Sequence, residues 1–222
     1  KVLPFDWPEM TSVQDYSAKA APAPDRPFRL LYVGQIIEAK GVGDAVRALA
    51  ILRRRGLDAT LTLVGAGDSE AFMSLAREQG VAEQVTLAGL LPHDRVLAEM
   101  RAHEVVLVPS HHDYPEGLPM TLYEALCVRT PLVVSDHPMF ALRIHDGQQA
   151  LVHPQRDPEA MADRIERLAS GPQVYEAFSR RAETAVRNYL CPLKWDRLLE
   201  DFLDPATRKD LRRYSLARHS YF

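Results

Sequence analysis

The amino-acid sequence predicts an α/β domain, a doubly wound parallel sheet of the Rossmann-like kind. Three observations carry this. Short apolar runs alternate with segments of helical periodicity along most of the chain. The first run, FRLLYVG (28–34), is continuously apolar after its arginine and ends in glycine, as strands buried on both faces do. The segments between the runs are long enough to be crossover helices, and several stop at glycine. Strand and helix in alternation give right-handed crossovers and a sheet covered on both sides.

The elements follow in order. Residues 1–27 are irregular, and AKAAPAPDRP (18–27) reads as a Pro/Ala linker. After the first strand, AKGVGDAVRALAILRRRG (39–56) has apolar residues at helical spacing. ATLTLVGAG (59–67) is the second strand. DSEAFMSLAREQG (68–80) is the second helix, with Asp68 as N-cap. QVTLAG (84–89) is the third strand, HDRVLAEMRAH (93–103) the third helix and EVVLVPS (104–110) the fourth strand. A helix is expected from about Pro119, then strands at TPLVVSD (130–136) and ALVHP (150–154). From 157 the pattern is helical, broken at Gly171-Pro172 and Cys191-Pro192. The expected division is a hinge segment and linker at 1–27, a domain at 28–203, and a basic tail at 204–222.

Composition excludes several classes. At 222 residues the chain forms one large domain or two small ones. A net charge of −3 argues against a nucleic-acid binder. Two cysteines, Cys127 and Cys191, make no disulfide scaffold and lack metal-ligand spacing, which fits a reducing, cytoplasmic setting. No apolar run reaches the roughly 18 residues of a membrane span, and KVLPFDWPEM has no signal-peptide core.

The chemistry gathers in DYPEGLPMTLYEAL (113–126), where Glu116 and Glu124 have seven residues between them. If a helix begins at Pro119, its first N–H groups lack intrahelical partners and form an anion site together with the helix dipole. Proline suits the first helical position because its missing donor is not needed there. Eight residues of helix rise about 12 Å, so the two carboxylates would flank a phosphate-sized site. Carboxylates accept hydrogen bonds from sugar hydroxyls. A ligand with a hydroxylated ring at each end and phosphates between them fits: a nucleotide sugar. Every suggestive loop follows a strand, and ligands of such sheets bind at the carboxyl ends of the strands.

These residues carry a resemblance. LLYVGQIIEAKGV, LTLVGAGD, VTLAGLL, VVLVPS, PEGLPMTLYEAL and TPLVVSD stand in an order and at distances that resemble the donor-binding, C-terminal domain of a GT-B glycosyltransferase. The family is the retaining one known as glycosyl transferases group one, or family four. The resemblance covers about residues 1 to 200 and implies transfer of a sugar from a nucleoside-diphosphate sugar. It implies that Glu116 contacts donor-sugar hydroxyls, Glu124 holds the ribose, and Lys40 pairs with the diphosphate. Gly34 would lie close to the phosphates, beside Gln35 and Gly65. The Gly89-Leu90-Leu91 segment would hold the base, largely through main-chain groups. Gly117, Leu118, Pro119 and Met120 would form the turn facing sugar and phosphates. Glu116 and Lys40 are the expected catalytic pair, acting on charge and orientation without metal or cofactor. KVLPFDW resembles the family's interdomain segment, so the acceptor, a sugar or a lipid-linked glycan, would be bound by an N-terminal domain that this sequence lacks. The chain is then a fragment or a natural lone domain.

Three departures stand out. Gln35 occupies the place of the usual arginine, and one neutral amide replaces a charged fork. Gly-Leu-Pro-Met follows Glu116 where Gly-Phe-Gly-Leu is common, and Pro119 removes an N–H. SDHPMF (135–140) replaces a frequent glycine pair.

Plainer readings stand beside these. Glu116, Glu124 and Lys40 could each be ordinary solvated residues. His111-His112-Asp113 suggests metal, but adjacent residues rarely converge on one ion. Arg53 to Arg55 read as a solvated helix end. Gly65-x-Gly67 lacks the third glycine of a dinucleotide fingerprint. Cys127 reads as core. The tail carries Arg208, Lys209, Arg212, Arg213 and Arg218 against Asp204 and Asp210, which suits a solvated tail, packing on another domain, or peripheral contact with an anionic inner membrane. Two other functions remain in view. Gln35 motivates a non-catalytic nucleotide-binding or scaffold domain. A sugar-nucleotide epimerase shares the fold but not the motif order.

Overall fold

In the computed structural model, residues 16–204 are described apart from Pro24, Leu142, 190–198 and Asp201. The strands are β1 (Phe28–Val33), β2 (Ala59–Val64), β3 (Val85–Gly89), β4 (Val105–Val108), β5 (Leu132–Ser135) and β6 (Leu151–His153). The helices are α1 (Val42–Arg54), α2 (Ser69–Glu78), α3 (His93–Ala102), α4 (Met120–Cys127), α5 (Pro138–Ala141), α6 (Pro158–Ser170) and α7 (Pro172–Tyr189), with 3-10 turns at Glu38–Lys40 and Ala82–Gln84.

The six strands form one parallel sheet in the order β3-β2-β1-β4-β5-β6. The α/β, Rossmann-like class expected from the alternating pattern is therefore the one observed. Leu30 and Leu31 are adjacent in sequence, both fully buried, and lie on opposite faces. With Tyr32, Leu61, Leu63 and Leu107, Leu30 packs under α1 and α6. With Val64, Val106, Val108 and Val134, Leu31 packs under α3, α4 and α7. Two-sided burial explains why the strands are apolar at consecutive positions.

The sheet order reverses between β1 and β4, which are paired at Leu30↔Val105 through Tyr32↔Leu107. Loops leaving these two strands diverge to opposite faces and open a crevice at their carboxyl ends.

Asp68 caps α2 as expected, accepting from the Ala71 N–H at 3.2 Å. Three local expectations are corrected. The helix expected from 39 is split: Gly41 takes φ 72° and separates the Glu38–Lys40 turn from α1. A Cβ on Gly41 would stand 2.1 Å from the Pro109 carbonyl oxygen, so the end of β4 demands glycine here. Pro119 is the N-cap of α4, with φ −64° and ψ 141°, not its first helical residue. Pro138–Ala141, which overlaps the end of the SDHPMF stretch, forms the short helix α5, for which the sequence pattern gives no expectation. Arg55 is not merely solvated, since it bonds Glu159, Asp163 and Glu166 of α6. Cys127 is core, and burial pushes its thiol up to about 12.

The described part of the expected linker lies against the domain. The Lys19 N–H donates to Ser179 Oγ at 2.7 Å, and Lys19 Nζ bonds the His103 carbonyl. KVLPFDW, the Cys191-Pro192 break and the tail beyond Asp204 fall outside the described residues.

Candidate functional site

The glycines that end β1, β2 and β3 lie side by side. Gly34 N–H donates to the Val64 carbonyl at 3.0 Å and Gly65 N–H to the Gly89 carbonyl at 2.9 Å. A Cβ on Gly65 would fall 1.8 Å from the Gly34 carbonyl oxygen. Gly65 therefore fixes the close approach of two loops. The segment after β3 continues to Leu90, which is 78% exposed, and to half-buried Leu91.

Across the crevice, the loop after β4 carries the first carboxylate. Glu116 forms an ion pair with Lys40, and the two side chains are only 7% and 15% exposed. Ser110 Oγ donates to the same Glu116 oxygen at 2.8 Å. The Ser110 carbonyl accepts from Ser135 Oγ at 2.6 Å, which ties β4 to β5 just below the site. Lys40 reaches Glu116 because Gly41 turns the chain before α1. It thus sits at the end of a 3-10 turn, outside the first helical turn where the sequence reading had it.

Gln35 is exposed and held at both ends. Its carbonyl accepts from Tyr32 Oη at 2.6 Å, and its side-chain oxygen accepts from Tyr114 Oη at 3.0 Å. Burial pushes the Tyr32 phenol up, so it stays a donor. The Tyr114 ring lies under Lys40, with Nζ 4.3 Å from the centroid. Gly117, Leu118 and Pro119 are half-buried and lead into Met120, where α4 begins. Pro119 offers the first turn of α4 no side-chain acceptor.

Glu124 is the second carboxylate. It lies on α4, buried, with His93 Nδ1 at 3.6 Å. Burial raises its carboxyl above the ordinary value, opposed in part by His93. It does not join the Lys40–Glu116 pair. It faces His93 at the start of α3, on the side of Leu90 and Leu91.

His111, His112 and Asp113 diverge: His111 bonds Asp44 at 2.8 Å, His112 bonds Asp136 at 2.8 Å, and Asp113 pairs with Arg156 at 2.9 Å. Glu38, Asp44 and His111 do approach one another, their ligand atoms all within 4.8 Å. The Arg47 guanidinium already lies 3.3 Å from Asp44 and 3.6 Å from Glu38, supplying the positive charge there. The sequence reading missed Tyr114, Ser110 and the buried His111–Asp44 pair. The spelling VPSHHDYPEG placed them in the loop but could not say what each would meet.

Comparisons with known proteins bear on the family and the fold. A family model described as glycosyl transferases group 1 matches residues 14–185. Alpha-D-kanosaminyltransferase of Streptomyces kanamyceticus is 34% identical over 160 residues, which covers 71% of this chain and 40% of that protein. The chain thus spans well under half the length of this relative. Among solved structures, the C-terminal domain of the glycosyl transferase group 1 family protein LpcC from Francisella tularensis superposes with a TM-score of 0.65 at 15% identity, covering 85% of this chain and 95% of that one. Anabaena Alr3699/HepE, solved in complex with UDP-glucose, superposes with a TM-score of 0.64 at 17% identity, covering 72% of this chain and 44% of that one. These two likenesses concern the fold.

Proposed function

The chain belongs to the glycosyl transferases group 1 family, and from that premise we propose that it is the donor-binding half of a retaining GT-B glycosyltransferase. It holds a nucleoside-diphosphate sugar along the carboxyl ends of β1 and β4. The observation that carries this reading is the meeting of Lys40 and Glu116, largely buried, at the point where the sheet order reverses.

Each part has a chemical role. Lys40 answers the diphosphate, and the first-turn N–H groups of α4 add their dipole. Glu116 accepts hydrogen bonds from the transferred sugar and orients it. Glu124 accepts from the ribose hydroxyls, and Leu90 and Leu91 border the base. As the anomeric bond loosens, negative charge grows on the departing diphosphate, and fixed donors and the Lys40 ammonium stabilise it. The acceptor attacks from the same face, and the leaving diphosphate takes its proton. The protein's contribution is electrostatic and geometric, and a second domain supplies the acceptor, a sugar or lipid-linked glycan. Anabaena Alr3699/HepE was solved with UDP-glucose, which supports a nucleotide sugar as the ligand class. Among the described residues no helix is long and apolar enough to cross a membrane; the basic tail is the segment suited to peripheral contact with an anionic membrane.

Gln35 favours a second reading, a non-catalytic domain of the same fold that serves as a scaffold. Titration with UDP-, GDP-, ADP- and dTDP-sugars separates the two. Selective binding of one nucleotide sugar, weakened by Glu116→Gln, is expected. Binding of none would favour the scaffold.

A further inference from the structure

We infer that Tyr114 is a positioning residue for the diphosphate subsite: its hydroxyl engages the oxygen end of the Gln35 carboxamide, which leaves the NH2 end for an anion, and its ring holds the Lys40 ammonium beside it. The inference rests on the reading that a diphosphate lies between Gln35 and Lys40.

The argument begins with the amide. An arginine at position 35 would present donors only. A glutamine has one donor end and one acceptor end. Turned the wrong way, it presents an oxygen to phosphate and repels it. The side chain is exposed, so packing alone does not choose between the two. Tyr114 Oη donates to Gln35 Oε1 at 3.0 Å. With its oxygen engaged there, the amide has its NH2 group, and both donors, on the other side. The same residue meets Lys40, whose Nζ stands 4.3 Å from the ring centroid. A cation over an aromatic face is attracted by its quadrupole. One side chain thus fixes both groups that would grip the diphosphate.

Tyr114 is itself held from several elements. Its N–H donates to the His111 carbonyl at 3.1 Å. Its carbonyl accepts from the Glu116 N–H at 2.7 Å and from His137 Nε2 at 3.1 Å. The flanking residues are tied down too, His112 to Asp136 and Asp113 to Arg156. The loop is therefore anchored to the segments after β5 and β6, as a preorganised donor site requires.

The test titrates the chain with UDP, GDP, ADP and dTDP and with the matching nucleosides. Tyr114→Phe keeps the ring and removes the hydroxyl. It is expected to weaken the best-bound diphosphate about three- to tenfold and to leave its nucleoside unchanged. The loss should vanish in a Gln35→Ala background, and Gln35→Arg should rescue Tyr114→Phe. Tyr114→Leu should weaken the diphosphate further, with the extra loss absent in a Lys40→Ala background. Wild-type thermal unfolding midpoints in Tyr114→Phe would exclude general loosening. Equal losses for diphosphate and nucleoside, or a loss that persists in Gln35→Ala, would overturn the assignment while leaving the donor site standing. A wild-type chain that binds none of the four diphosphates overturns the donor-site reading and this inference together.

Discussion

Lys40 and Glu116, 76 residues apart, form an ion pair at the carboxyl ends of β1 and β4. Each belongs to a different loop, and the pair bridges the two. Ser110 Oγ steadies the Glu116 carboxylate from below. The two groups that would separately serve phosphate and sugar are therefore in direct contact, and a change in one alters the setting of the other.

Stability should register this contact. Removing one partner leaves the other charge largely buried and uncompensated. Lys40→Met is expected to lower stability by about 2–4 kcal/mol. Adding Glu116→Gln, which removes the stranded charge, should recover most of that. Urea denaturation of the single and double variants measures it. An equally unstable double variant would show that the loss comes from packing rather than charge.

Ligand binding offers a separate reading of the same corner. Gln35→Arg places a bidentate cation beside Lys40 and should tighten a nucleoside diphosphate about three- to tenfold, since charge-assisted bonds are roughly twice as strong as neutral ones. The matching nucleoside should bind as before. Lys40→Ala should weaken the diphosphate selectively. Titration calorimetry at two salt concentrations would check both, because the gain should shrink as salt rises. Equal effects on nucleoside and diphosphate would place the phosphates elsewhere.

Much of this was legible in the sequence. The strands declare themselves because burial on both faces forces runs such as LLYV and VVLV, and Asp68 declares its cap by position. Glu116, Lys40 and Glu124 stood out from the motif order. Their meeting partners did not. That Lys40 faces Glu116 depends on β1 lying beside β4, a pairing set by the reversal of sheet order, which no local pattern encodes. The break at Gly41 was hidden as well. A glycine inside a helical pattern reads as tolerated until the Pro109 carbonyl is found against it. Tyr114 was hidden because a tyrosine in a polar loop has no periodicity to betray its neighbours.

The glycines give a contrast in backbone crowding. Gly65 has φ 146°, and a Cβ there would meet the Gly34 carbonyl oxygen at 1.8 Å. Gly56 also has positive φ, at 90°, but open space around it. Gly65→Ala is expected to cost about 3 kcal/mol or more, with displacement of the Gly34 loop, whereas Gly56→Ala should cost about 1 kcal/mol. Thermal unfolding of both variants tests the difference. Similar losses would mean that backbone strain, not the contact with Gly34, sets the cost.

Lys19 provides a pH test away from the site. Burial lowers its ammonium from 10.5 to about 8, with Glu104 pulling the other way. Between these values the unfolded chain binds the proton and the folded chain does not, so this group adds stability as pH rises from about 8 to 10.5. The stability of the wild-type chain relative to Lys19→Met should therefore grow by about 2–3 kcal/mol across that interval. Chemical denaturation at pH values on either side reads it. A pH-independent difference would show that Lys19 is solvated.

Glu124 joins stability to function with opposite signs. Burial favours its neutral form, and His93 at 3.6 Å opposes this only in part. The folded value is raised above the ordinary 4.5. Below the unfolded value the carboxyl is neutral in both states and its burial is least costly. As pH rises through the folded value, that advantage is lost and the chain carries a buried charge. Glu124→Gln should therefore be more stable than the wild type near pH 7 and close to it near pH 4. A neutral amide, however, accepts hydrogen bonds from a ribose more weakly than a carboxylate does. Hydrogen bonds to charged groups are worth roughly 1.5–3 kcal/mol, so the same variant should lose about tenfold or more in nucleotide affinity. Wild-type affinity should also fall as pH drops through the folded value, because the protonated carboxyl is the weaker acceptor, while that of Glu124→Gln should stay flat. Denaturation and titration across pH 4 to 8 measure both. A variant that gains stability without losing affinity would remove Glu124 from the ribose site and leave it a buried acid of the helix.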